Sequence, residues 1–178
     1  MNKIQSKTVK YSLVLTMMFS TIAFATDNLL FSGTLVRLPC IVKPGKELVN
    51  VDFKSITTKY IYRYERTKSY PFSLEFTECD TSIGDKMKIT FTGQESSALP
   101  GLLETTKIAG NPSGLAVGIE LENKEPLMLN KGMIHKVSAG DSTAQFYAYV
   151  KGEPKAIADK KIFPGTFTAT STVKVEYD

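Results

Sequence analysis

Two cysteines, one histidine and a few spaced carboxylates are the only side chains here whose types and spacing invite chemistry. A thiolate zinc site needs about four ligands at close spacing, and Cys40 and Cys79 stand far apart with His135 as the single imidazole. That one histidine leaves no Ser-His-Asp or Cys-His arrangement except through itself, in a Lys/Gly-rich turn region, and it reads as a surface residue. Glu75 with Glu78, near Cys79, and Glu120 with Glu122, on one strand face, read as polar-face carboxylates. Gly110-x-x-x-Gly114 precedes a strand but lacks the lysine and the following helix of a phosphate loop. Lys59-Tyr-Ile-Tyr-Arg-Tyr-Glu-Arg66, with Lys68, reads as a strand with a solvated basic face. The expectation is a non-enzyme that carries no metal and no cofactor.

The elements around these residues point to export and to β-structure. Residues 1–25 have the layout of a secretory signal peptide: Lys3, Lys7 and Lys10, then an apolar stretch from Tyr11 to Phe24, then Ala23-Phe24-Ala25 for cleavage after Ala25. The apolar stretch is shorter than the ~20 residues of a spanning helix. Residues 26–178 suit one domain with a sizeable core. Without the leader's three lysines, the 22 Lys+Arg and 18 Asp+Glu of the chain nearly balance, so charge gives no reason to expect nucleic acid. An even cysteine count in an oxidising compartment predicts one disulfide, Cys40–Cys79, stabilising the fold by about 3–4 kcal/mol in the chain-entropy model.

Alternating or β-rich runs occur at 29–38, 48–53, 70–77, 87–92, 115–121, 133–137 and 144–150. Gly, Pro, Asn and Asp clusters separate them, among them Lys43-Pro-Gly45, Gly110-Asn-Pro-Ser-Gly114 and Pro164-Gly165. No segment sustains a helical period. The pattern predicts an all-β sandwich with immunoglobulin-like connectivity. The last twelve residues alternate most clearly: Phe167, Ala169, Val173, Val175 and Tyr177 share one parity, with Ser171 the polar exception, and Thr168, Thr170, Thr172, Lys174 and Glu176 share the other. A terminal strand paired on both edges and one left with a free edge both fit this pattern.

An ordered set of motifs decides between them. Phe31-Ser-Gly33-Thr-Leu-Val-Arg-Leu-Pro39-Cys40 leads to the first cysteine, and Pro71-Phe-Ser-Leu-Glu-Phe-Thr-Glu-Cys79 carries the second. Met87-Lys-Ile-Thr-Phe-Thr-Gly93, Gly114-Leu-Ala-Val-Gly118-Ile-Glu-Leu, Leu127-Met-Leu-Asn130-Lys-Gly132 and Ala144-Gln-Phe-Tyr-Ala148-Tyr149 follow in order, and Gly165-Thr-Phe167-Thr-Ala169-Thr opens the strand ending in the penultimate Tyr177. Together they resemble the pilin subunits of Gram-negative chaperone–usher pili, and in particular the adaptor subunits of type 1 fimbriae.

The resemblance implies an incomplete immunoglobulin-like sandwich lacking its seventh strand and completed by a donor strand from another chain. It implies a periplasmic pilus chaperone, an outer-membrane usher and neighbouring pilin subunits as partners, no stable free monomer, and passage through the periplasm to the fimbrium at the cell surface. Residues 26–39 would be a donor-strand extension running into the first strand, and 40–178 the pilin domain. Leu29, Phe31, Gly33 and Leu35 share a parity that would enter a neighbour's groove, with Asp27 departing from the apolar or small residue such extensions carry there. Phe167, Ala169, Val173, Val175, Tyr177 and the carboxylate-bearing Asp178 would form the strand that faces chaperone and donor. Only five residues, Thr26 to Leu30, precede Phe31, which favours a minor adaptor over a major rod subunit or an assembly terminator. A single-domain lectin-like adhesin is the alternative of another class, weakened by the absence of Trp.

Overall fold

A computed structural model describes residues 31–177 of the chain. Residues 31–35 belong to a unit separate from the rest, adopt no regular secondary structure and expose Phe31 and Leu35. The unit from Val36 onward contains the fold.

Among the described residues, nine strands and two short helices follow in the order β1 (Ile41–Val42), α1 (Thr58–Tyr64), β2 (Tyr70–Cys79), β3 (Lys86–Gly93), β4 (Leu103–Glu104), β5 (Leu115–Leu121), β6 (Pro126–Leu127), β7 (Met133–Lys136), β8 (Gly140–Gly152), α2 (Pro154–Ala158) and β9 (Ser171–Tyr177). All strand pairs are antiparallel. The first sheet runs β1-β2-β8-β5-β4, with β6 also on β5, and the second runs β7-β3-β9.

Alternation explains the layers. Met87, Ile89 and Phe91 of β3 point one way and are buried, whereas Lys86 and Lys88 point the other and are exposed. Phe91 meets Phe146 of β8 edge-on at 5.0 Å and Phe72 of β2 at 6.0 Å, and Phe72 stacks on Phe146 at 5.6 Å. This aromatic cluster joins the two sheets, with ring geometries that add to the burial itself. Cys40 and Cys79 are bridged, both buried, which ties β1 to the end of β2.

The sequence reading needs four corrections. Lys59–Arg66 is not a strand: Thr57 caps α1 by accepting from the Tyr60 N–H, Ile61 is fully buried, and Glu65 ends the helix in a left-handed conformation with φ 62°. Burial of Ile61 overrides the β-rich composition, because the helix presents that one apolar side chain against Gly152 at the end of β8. Within 29–38 and 48–53 the described residues join no ladder, although Val51 and Phe53 still turn inward and pack on the core. A strand needs a partner, and the described residues supply none there.

His135 is half-buried rather than a surface residue, within 3.4 Å of Ser142, and burial lowers its pKa. Glu120 is no solvated face residue: it is 3% exposed, accepts from Arg66 Nη1 at 2.7 Å and from Ser69 Oγ at 2.6 Å, and lies apart from the exposed Glu122.

Candidate functional site

β9 joins the molecule by one edge. β3 pairs with it from Gly93↔Ser171 to Met87↔Tyr177, and among the described residues no strand takes its other edge. A free edge presents a row of N–H and C=O groups that can bind another strand. Ahead of β9, Phe167–Thr170 stand outside the ladder, but Thr168 is held by Thr106, whose N–H donates to the Thr168 carbonyl at 2.8 Å and whose Oγ1 accepts from the Thr168 N–H at 3.0 Å.

Beside this edge lies a cavity of about 1010 Å³. Residues 165–175 make one lip and residues 46–56 the other. Phe72, Leu74, Phe91, Val117, Ile119 and Ala148 line its floor, drawn from β2, β3, β5 and β8. The floor is therefore the sandwich core itself. Phe167, Ala169, Val173, Val175 and Tyr177 pack against that core and yet are only half-buried, as are Val51, Phe53 and Ile56 on the opposite lip. Apolar side chains left half in water on both sides of an apolar floor mark a site where more surface can be buried.

The two ends of the β9 lip are pinned. Tyr177 donates its hydroxyl to the Cys40 carbonyl at 3.1 Å, fixing the strand's end beside the disulfide. Burial raises the Tyr177 pKa, so the phenol stays protonated and able to donate. At the far end the Thr106–Thr168 pair does the same work. The opposite lip carries Phe53, which meets Tyr70 of β2 edge-on at 5.4 Å.

The rim is polar. Glu75 lies between Lys46 at 3.2 Å and Lys43 at 3.5 Å, and Lys43 also reaches Asp141 at 3.6 Å. The hydrogen bond from Lys46 lowers the Glu75 pKa most. Pairs so exposed contribute little stability and mainly keep the rim wet.

A second polar cluster lies apart from the groove. The Arg66 guanidinium stacks 3.6 Å from the Tyr149 ring, which packs on Gly118, where a Cβ would collide with it. Burial pushes the Glu120 carboxyl up, but the hydrogen bonds from Arg66 and Ser69 outweigh it and hold the pKa below its ordinary value. This network glues α1 and the segment after it to the first sheet. Among the described residues no group of three His, Cys, Asp or Glu side chains could hold a metal ion.

Of the residues singled out from sequence, the structure brings Phe167, Ala169, Val173 and Val175 onto one groove wall, with Tyr177 and the cysteines at its end. Phe31, Gly33 and Leu35 lie in the separate N-terminal unit. Leu29 and Asp178 lie outside the described residues, as does the segment 1–25. The second lip was missed as a site. Its signal was the alternation Val49, Val51, Phe53 in a segment with no partner strand.

A family model described as fimbrial protein matches residues 29–178. The fimbrial adapter PapK of Escherichia coli is 30% identical over 161 residues, covering 87% of this chain and 89% of PapK. The putative minor fimbrial subunit PmfF of Proteus mirabilis is 26% identical over 180 residues, covering 95% and 97%. Among solved structures, the P pilus rod subunit PapA superposes with a TM-score of 0.68 at 18% identity, over 79% of this chain and all of PapA. A subunit from the structure of a chaperone–usher pilus does so with a TM-score of 0.68 at 20% identity, over 89% and 99%.

Proposed function

We propose, from the premise that this chain belongs to the fimbrial protein family, that it is a minor, adaptor-type subunit whose groove is filled by a β-strand from another protein. Its fold is an incomplete immunoglobulin-like sandwich, and it is a structural subunit of a chaperone–usher pilus, a surface organelle in which pilins assemble with neighbouring pilins. The observation that carries the strand-binding reading is the free edge of β9 beside an open apolar floor. A single inserted strand would pair with that edge, bury alternate side chains on the floor and cover the half-exposed wall, which is β-strand addition.

The order of events in this reading is the one the family resemblance implies. Exported by the 1–25 leader, the subunit meets water with its core open, so a periplasmic chaperone supplies the first strand. At the outer-membrane usher the extension of the next subunit replaces it. This chain's own extension, with Leu29, Phe31, Gly33 and Leu35 on one face, enters the groove of another subunit. The names of PapK as an adapter and PmfF as a putative minor subunit support the adaptor position, as does the short segment before Phe31. A major rod position draws support from the major MR/P fimbria protein of Proteus mirabilis, 27% identical over 148 residues.

The test uses the two ends separately. Val173→Asp puts a carboxylate on the groove wall, where an unpaired charge costs several kcal/mol to bury, and should abolish co-purification with the chaperone. Phe31→Asp should leave that co-purification intact and block entry into fibres. If Phe31→Asp enters pili at the wild-type level, residues 26–35 are not a donor strand. Immunogold labelling restricted to fibre tips supports the adaptor position, and labelling along the shaft assigns the rod.

A further inference from the structure

The outer face of the second sheet is a concentration of positive charge that the groove does not use. Lys86 and Lys88 of β3 project from it, Lys136 of β7 stands directly opposite Lys86, and Lys131 precedes β7. All four are exposed, and none forms an ion pair within 4 Å among the described residues. Like charges directly opposite on an antiparallel pair repel one another.

The acidic groups facing this surface among the described residues, Asp85 and Glu176, offset its charge only in part. Glu176 of β9 lies opposite Lys88 and attracts it across the strands, while its carboxylate bonds at 2.7 Å to Lys174, a further lysine of the same face. Asp85 precedes Lys86 and forms no ion pair among the described residues. The stem of Lys88 lies across Gly132, where a Cβ would meet it, which brings its ammonium toward the β7 end of the cluster.

We propose that this face binds a linear anionic polysaccharide. Successive lysines on β3 are roughly 7 Å apart and the facing pair across strands roughly 5 Å, from strand geometry, so the cations form a flat ladder suited to a chain of repeating sulfate or carboxylate groups. These lysines line neither the groove nor the smaller cavity beside His135, and recognition on this face is by charge along a plane. Ile134, 54% exposed, is the one large apolar side chain at its centre, too little for insertion into a lipid surface. The inference stands apart from the groove and does not require it to take a strand.

Heparin is the probe, measured by its affinity for the strand-completed full chain at several salt concentrations. Lys86→Glu/Lys136→Glu should weaken binding at least tenfold at low salt and flatten the slope of log affinity against log salt by roughly 1–2. A charge-matched control, Lys107→Glu/Lys161→Glu, changes two exposed, unpaired lysines elsewhere and should bind as the wild type does. Equal losses in both variants mean that overall basicity alone attracts heparin, and the proposal falls. It falls too if heparin does not bind, or if Lys86→Glu/Lys136→Glu disrupts only self-association while heparin binding is unchanged. Circular dichroism matching the wild type accompanies each variant, and binding of heparin by Lys86→Gln/Lys136→Gln at the wild-type level would overturn the assignment on its own.

Discussion

Tyr177 shows how one side chain links the terminal strand to the rest of the molecule. Its ring lies against the core and its hydroxyl bonds to Cys40, whose sulfur is joined to Cys79. Tyr177→Phe keeps the ring and loses the bond, and should lower stability by about 0.5–1.5 kcal/mol. Cys79→Ser removes the bridge that holds β1 beside β2 and should cost about 2–5 kcal/mol, seen as a fall in periplasmic level and a lower unfolding midpoint of the strand-completed protein. His135 makes stability depend on pH. Burial sets its folded pKa below its ordinary value of 6.5, so the unfolded chain binds the proton more tightly. Its contribution is therefore complete above about pH 6.5 and is lost as pH falls through the window beneath. Urea titrations at pH 7.5 and 5.5 should show a larger loss for the wild type than for His135→Gln. Glu120 acts in the same sense further down, its contribution being lost as pH falls below the ordinary carboxylate range. Arg66→Ala leaves that carboxylate buried beside Ser69 alone. Because Arg66 is itself partly exposed, the cost should lie below the about 3–5 kcal/mol of a fully buried pair.

Strands whose partners lie within the chain were legible from alternation. Residues 70–77, 87–92, 115–121, 133–137 and 144–150 all became strands within a few residues of the expected limits, because one buried face imposes period two on the sequence. The parity of Phe167–Tyr177 was equally legible, although the ladder begins only at Ser171. The segment 48–53 alternates as well and yet has no ladder, since hydrogen bonds depend on a neighbour that no sequence pattern can supply. Helix α1 was obscured by three tyrosines and an isoleucine, all common in strands. Its cap at Thr57 was the available signal, but a helix of seven residues buries a single side chain and leaves no period to detect. The Arg66–Glu120 pairing joins residues 54 positions apart and depends on tertiary packing alone. At this scale the groove makes a length-dependent prediction. Peptides that alternate apolar residues should gain affinity as they lengthen toward the span of 167–175, and a one-residue shift of the apolar parity should abolish binding, because it turns every anchor to solvent. Competition against a labelled peptide measures both.

At the scale of the whole molecule, a sandwich open along one side explains why a subunit of a fibre can be both incomplete and well packed. Its aromatic cluster forms part of the groove floor, and its disulfide and buried polar network lie outside the groove, so the core is largely built before a strand arrives. The inserted strand then covers the floor and both lips at once. Amide hydrogen exchange of the full chain, with and without a strand partner, tests this most directly. The account predicts that a partner brings strong protection to Ser171–Tyr177 and to residues 48–53 together, with β5 and β8 already protected beforehand. Protection that leaves both lips unchanged, or that appears only outside the groove, would contradict it.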